Sequence, residues 1–218
     1  MKQLLLELAP PARPTFANFV TGSNRELVQI LRQTAAGRFP DRVVYIWGES
    51  GAGKSHLIEA VLHAAQIPCV AAGGNAIPEA AAEGTLVTLD DVHKLDESNQ
   101  IHLFNLINVL KSATLVATGP CAPRDLTLRR DLATRLGSGL VYQVHGLTDE
   151  EKRAALAVHA QARGFALNDD IVDYLLRHTR RDMPSLIAIL DSLDRHSLQT
   201  GRPVTLPLLK DALQPQQE

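Results

Sequence analysis

The sequence predicts an α/β fold: five mostly parallel strands covered by helices, followed by a small all-helical unit. Three observations carry this. Five short apolar runs occur at residues 42–48 (RVVYIWG), 67–73 (IPCVAAG), 85–91 (TLVTLDD), 113–119 (ATLVATG) and 140–145 (LVYQVH). Runs apolar at nearly every position fit strands covered on both faces, as in parallel sheets. Helix-forming segments lie between them at 53–66, 97–110 and 126–136, and alternation of this kind defines the α/β class. After Gly146 the strand pattern stops.

From that point every signal is helical. Thr148 with Glu151 three residues later is a capping box, opening a helix that Gly164 stops. Asn168 or Asp169 opens the next, and Asp182 caps a third with Pro184 in its first turn, where a missing N–H costs nothing. A short helix near 206–213 ends the series. The domains predicted are therefore an N-terminal tail (1–15), an α/β domain (16–147) and a helical lid (148–218). Residues 73–84 (GGNAIPEAAAEG) read as a shortened surface segment.

Composition narrows the function. The chain has 218 residues, enough for one sizeable core and a small second unit. A formal charge of -2 and 4% aromatics argue against a protein that holds nucleic acid by charge and stacking alone. Cys69 and Cys121 form no CxxC pair, which argues against a zinc or redox motif, and Cys69 reads as a buried thiol. No apolar stretch is long enough to span a membrane, and Glu7 and three prolines spoil the N-terminus as a leader. A cytoplasmic location is the expectation.

The chemistry starts at Gly48. Gly48-Glu49-Ser50-Gly51-Ala52-Gly53-Lys54-Ser55 matches GxxxxGK(S/T) at every fixed position, with a strand before it and a helix after it. Glycines let the main chain wrap an anion with its N–H groups inward, and the helix start adds positive charge. Lys54 is placed for the β- and γ-phosphates of ATP, or the β-phosphate of ADP, and Ser55 for Mg2+. The run 85–91 ends in Asp90-Asp91, an apolar strand closed by carboxylates as a phosphate-bound metal requires. Asp90 is assigned to Mg2+ and Asp91 to a water-orienting or general-base position.

Three arginines remain. Arg135 closes the helix before the last strand, in ATRLGSGL. There it suits a finger that reaches a neighbour's γ-phosphate; a surface arginine favoured by the helix dipole reads equally well from spacing alone. Arg180 and Arg181 precede the helix that Pro184 opens, and residue chemistry does not separate them.

These residues resemble the AAA+ ATPases, and within them the DnaA branch. The likeness lies in GKSHL with His56, in Phe16-Ala17-Asn18-Phe19-Val20-Thr21-Gly22-Ser23-Asn24, in ATRLGSGL and in Arg181-Asp182-Met183. It covers about residues 16–213. The resemblance implies that Phe19 and Val20 border the adenine, that Arg135 is the arginine finger and that Arg181, rather than Arg180, is the lid residue sensing phosphate. Asn24 follows Gly22 one residue sooner than in typical initiators. Pro120 stands where the family has a polar residue after the fourth strand, which implies weak intrinsic hydrolysis.

The initiators of this branch carry a helix-turn-helix after the lid; none is expected here. Instead Gln3-Leu4-Leu5-Leu6-Glu7-Leu8 is similar to QLxLxL, the peptide that binds the DNA polymerase sliding clamp (its beta subunit). Gln3, Leu4, Leu6 and Leu8 are the clamp-binding candidates. With DnaA as second partner, the resemblance implies a negative regulator of replication initiation that carries ADP or ATP and stimulates hydrolysis on DnaA. AAA+ surfaces often self-associate, which leaves a homo-oligomer open. The competing readings are a helicase-loader-like ATPase driven by its own hydrolysis, and a small-molecule P-loop kinase, which would need an arginine-rich insertion inside the α/β core.

Overall fold

The computed structural model describes residues 13–72, 77–110 and 113–213. The chain divides into two compact units, one spanning Pro14–Gly146 and the other holding the chain from Leu147 onward.

The first unit begins with α1 (Arg25–Ala35), which buries Leu27, Val28, Leu31, Thr34 and Ala35 along one face. Strand β1 (Val43–Trp47) follows, then α2 (Lys54–Ala64), β2 (Cys69–Ala72), β3 (Leu86–Leu89), α3 (Glu97–Val109), β4 (Thr114–Gly119), α4 (Arg130–Leu136) and β5 (Leu140–Gln143). The strands form one sheet in the order β2-β3-β4-β1-β5, every pair parallel. In β3 and β4 every residue is buried, as both-face coverage requires. One face packs on α3 and α4 through Leu103, Leu106, Leu132 and Leu136; the other packs on α1 and α2 through Leu31, Leu57 and Val61.

Three features differ from the sequence expectation. Strand β2 lies at the sheet edge with Val70 exposed, so Cys69 is half-buried rather than fully enclosed. Burial still pushes the Cys69 thiol pKa up. Helix α4 starts at Arg130, not near 126, because Pro123–Asp125 forms a separate 3₁₀ turn. Helix α1 has no counterpart in the sequence reading at all, although its apolar spacing is helical.

The sheet centre is fixed by close approaches. A Cβ on Gly139 would lie 2.1 Å from the Val43 carbonyl oxygen. A Cβ on Gly119 would lie 1.9 Å from the Tyr45 hydroxyl, which donates to the Cys121 carbonyl at 2.9 Å. Burial, reinforced by Cys121, pushes the Tyr45 phenol pKa up, so it stays a neutral donor.

The second unit holds α5 (Asp149–Ala162), α6 (Asp169–His178), α7 (Met183–Thr200) and α8 (Leu206–Leu213). Its core joins Leu156, Ile171, Leu175, Leu186, Leu190, Leu193 and Leu208. The capping box is present: Glu151 N–H donates to Thr148 Oγ1 at 3.2 Å, and Thr148 N–H donates to the Glu151 carboxylate at 2.9 Å. Asp182 caps α7 by accepting from Ser185 N–H at 2.9 Å. Among the described residues no helix is long and apolar enough to cross a membrane.

Candidate functional site

The Gly48–Ser55 loop joins the end of β1 to the start of α2. Gly51 and Gly53 sit at φ 79° and 102°, backbone that side chains with a Cβ rarely adopt. Gly48 is held for a different reason: its Cβ would lie 2.5 Å from the Val144 carbonyl. The main-chain N–H groups of Gly51, Gly53, Lys54 and Ser55 donate to no main-chain carbonyl among the described residues. Lys54 Nζ donates to the carbonyls of Gly48 and Glu49 at 2.7 and 2.8 Å. An ammonium has three protons, so one donor remains. This set of unspent N–H groups and one ammonium at a helix start fits a phosphate-type anion.

Phe19 borders the loop. Its ring centroid is 5.3 Å from that of His56, and a Cβ on Gly53 would come within 2.8 Å of it. His56 Nε2 pairs with the Thr15 carbonyl at 2.9 Å, and His63 Nδ1 with that of Pro14 at 2.9 Å. These bonds tie the segment before α1 to α2. Asn24 ties it to the end of β5: its amide donates to the His145 carbonyl and accepts from the His145 N–H, both at 2.9 Å. Asn24 is 4% exposed, so this two-way pairing satisfies a buried amide. Val20 is half-buried next to Phe19 in sequence.

The strand order brings the carboxylates to the same sheet edge. Asp90 follows β3, Thr118 lies in β4, and the loop follows β1, with β4 between β3 and β1. The Thr118 hydroxyl donates to Asp90 Oδ1 and accepts from the Asp91 N–H at 2.9 Å. Asp91 adopts φ 56°, the sole non-glycine with positive φ among the described residues. Its Oδ2 receives Lys94 Nζ at 2.6 Å, and His93 Nδ1 lies 3.9 Å from its Oδ1. That hydrogen bond, more than the charge of Asp91, holds the Lys94 pKa up. Among the described residues no group of three or more His, Cys, Asp or Glu side chains forms a metal cluster.

Arg135 is exposed near the end of α4, its guanidinium 6.0 Å from the Phe104 ring centroid. It lines a cavity with Arg42 and Val43, which precede and begin β1. The phosphate loop follows the other end of β1. Five strand residues at about 3.3 Å each separate the two places by roughly 15 Å. In the lid unit, Arg181 Nε donates to the Leu176 carbonyl at 2.8 Å and its guanidinium lies 3.9 Å from Asp149. Arg180 lies 3.4 Å from Asp182. Gln3, Leu4, Leu6 and Leu8 lie outside the described residues. The sequence reading missed Asn24 as a fastener and Thr118 as the bridge between the two aspartates. Both partnerships span long sequence separations.

A parallel five-stranded sheet with a phosphate loop after its β1 strand, followed in sequence by a unit of four helices, is the AAA+ fold. Two family models match it: residues 149–213 match the Hda lid domain, and residues 11–69 match the bacterial DnaA ATPase domain. Within the class the chain belongs to the DnaA/Hda branch. Its fold is similar to domain III of the replication initiation protein DnaA from Thermotoga maritima, with a TM-score of 0.66 and 18% identity, covering 95% of this chain and 100% of that one. It is similar to AMPPCP-bound DnaA from Aquifex aeolicus, with a TM-score of 0.67 and 19% identity, covering 86% of this chain and 69% of that one. A RuvB variant from Thermotoga maritima gives a TM-score of 0.66 at 15% identity, covering 94% and 72%.

Proposed function

We propose that this chain is a negative regulator of DNA replication initiation, an Hda-type protein. It binds the sliding clamp through Gln3, Leu4, Leu6 and Leu8, and it stimulates hydrolysis of ATP held by DnaA. The observation that carries the reading is Arg135. It is exposed and lies at the sheet end opposite the chain's own phosphate loop. An arginine that shares a cavity with the start of β1 is remote from the chain's own nucleotide, because the phosphate loop follows the other end of that strand, roughly 15 Å away. It suits a phosphate presented by another molecule, where a finger neutralises charge developing in the transition state.

The chain's own ligand is ADP or ATP, with the phosphates on the N–H groups of Gly51, Gly53, Lys54 and Ser55 and the adenine beside Phe19 and Val20; Ala52, whose N–H donates to the Glu49 carbonyl at 3.2 Å, lines the loop without a free main-chain donor. Support comes from the unspent donors described above and from the similar DnaA that binds AMPPCP. Ser55 and Asp90 would hold Mg2+, which binds through few protein ligands plus phosphate oxygens and water; the metal would supply positive charge to those oxygens. Arg181 is the lid residue assigned to the phosphates. Asp91 has one carboxylate oxygen engaged by Lys94 and its N–H engaged by Thr118. A base so engaged is poorly placed to activate water, which favours a protein whose own turnover is not its output.

The test is turnover of DnaA-bound ATP with clamp-loaded DNA. The wild-type chain should accelerate it, and Arg135→Ala should abolish the acceleration while leaving nucleotide and clamp binding intact. Full acceleration by Arg135→Ala removes the finger role. A clamp pull-down unchanged by Gln3→Ala with Leu6→Ala removes the clamp contact. Turnover by the isolated chain at the stimulated rate would favour the helicase-loader-like reading.

A further inference from the structure

A cavity of about 420 Å3 opens beside Arg135, lined also by Asp41, Arg42, Val43, Ile107, Asn108 and Ser138. Two of its lining groups are cations and one is an anion. Asp41 Oδ1 accepts from the Arg42 main-chain N–H at 2.6 Å, not from a guanidinium. Ser138 spends its hydroxyl proton on the Arg135 carbonyl at 2.8 Å. Among the described residues neither Arg42 nor Arg135 is in an ion pair, although Arg124 and Arg129 of the same unit each pair with an aspartate. The cavity therefore gathers two arginines that are in no ion pair against a single carboxylate, an excess of one positive charge.

The main chain under Arg42 is fixed. Its carbonyl accepts from the Leu115 N–H at 2.9 Å, and the Asp41 carbonyl accepts from Thr114 Oγ1 at 2.8 Å. Arg42 thus rises from the N-terminal end of the interior strand β1 rather than from a loose loop, while Arg135 rises from the last turn of α4. Two like charges on rigid elements around a polar cavity gain most from an anion between them, and planar guanidinium forks match phosphate oxygens in particular.

We infer that Arg42 is a second phosphate-contacting residue. With Arg135 it forms a two-guanidinium subsite for the terminal phosphate of a nucleoside triphosphate held by a partner protein. The inference rests on the trans-acting reading of Arg135 given above. Arg42 donates hydrogen bonds to a non-bridging oxygen of that phosphate, and Arg135 donates to the oxygen on which negative charge grows as the bond to the leaving diphosphate lengthens.

The experiment measures partner-bound ATP turnover against concentration of this chain, with Arg42→Gln, Arg42→Lys and Arg135→Ala beside the wild type. Arg42 is exposed, so thermal melts of its variants should overlay the wild type. Arg42→Gln should lower the maximal stimulated rate by about tenfold or more at an unchanged half-saturating concentration. Arg42→Lys, which keeps the charge and loses the fork, should fall between. If Arg42→Gln raises the half-saturating concentration and leaves the maximal rate intact, Arg42 meets a partner carboxylate and the inference is overturned. A wild-type profile for Arg42→Gln beside an inactive Arg135→Ala overturns this inference alone. No stimulation by the wild-type chain overturns the functional reading and this subsite with it.

Discussion

Four arginines of the lid unit and two of the α/β unit stand in opposite situations. In the lid unit Arg153 pairs with Asp173, Arg163 with Asp191, Arg180 with Asp182 and Arg202 with Asp211. In the α/β unit Arg42 and Arg135 face a shared cavity without such a partner among the described residues. Arg153 fastens α5 to α6, and Arg163 fastens the end of α5 to α7. Charge left unpaired at a fixed strand end is available to a ligand from outside. Main-chain donors differ in the same way from helix to helix: α5, α7 and α3 have their starts capped by Thr148, Asp182 and Asp96, whereas α2 starts at Gly53 with no side-chain cap.

If that contrast is sound, removing an unpaired arginine should damage activity and spare stability. Arg135→Ala should reduce stimulation of partner-bound ATP hydrolysis by on the order of a thousandfold with an unchanged melt. Arg153→Ala should do the reverse, loosening the lid and leaving the maximal stimulated rate near wild type. Parallel melts and turnover assays check both, and an inactive Arg153→Ala with a wild-type melt would break the contrast.

Packing sharpens it next. Gly139→Ala drives a Cβ into the Val43 carbonyl at 2.1 Å, main chain against main chain. Because the atom it meets is main chain rather than the far end of a flexible side chain, the clash should cost about 3 kcal/mol in urea unfolding. Gly146→Ala, whose Cβ meets nothing within 4 Å, should stay within about 0.5 kcal/mol of wild type.

Much of the α/β unit was legible because burial on both faces writes itself as continuous apolar runs, and β3 and β4 are such runs. The phosphate loop was legible because main-chain wrapping demands glycine at fixed spacing. Edge strand β2 misled for the same reason: its CVAA is apolar in sequence but exposed at its two middle residues. The bonds that place the site are contacts across the fold. Asn24 meets His145 and Thr118 meets Asp90 and Asp91 only after the chain has folded. Arg42 carried no signal, since a lone arginine before a strand acquires meaning only from the cavity it shares with Arg135.

Thr118→Val tests one of those hidden bonds. It leaves the Asp91 N–H and an Asp90 oxygen unpaired beside a fully buried position. A loss of about 1–3 kcal/mol is the expected outcome, read by denaturant unfolding.

The smallest effect belongs to the lid pairs. The Arg153 hydrogen bond, against a smaller opposing effect of desolvation, holds the Asp173 carboxyl below its usual value near 3.8. A depressed folded pKa contributes stability that is present above the unfolded value and lost as pH falls through the folded one. Lid stability should therefore decline slightly below about pH 4, and Asp173→Asn should flatten that decline. An unaltered pH profile in Asp173→Asn would show the pair to be idle.

The roles of Gly51, Gly53, Lys54, Ser55, Asp90 and Arg181 depend on an adenine nucleotide resting on the amides around Lys54. Calorimetric titration of ADP with magnesium into the chain and into Lys54→Ala measures this directly. Saturable binding by the wild-type chain, lost in Lys54→Ala at an unchanged melt, is the predicted result. No heat from the wild-type chain with ADP or with ATP would contradict it.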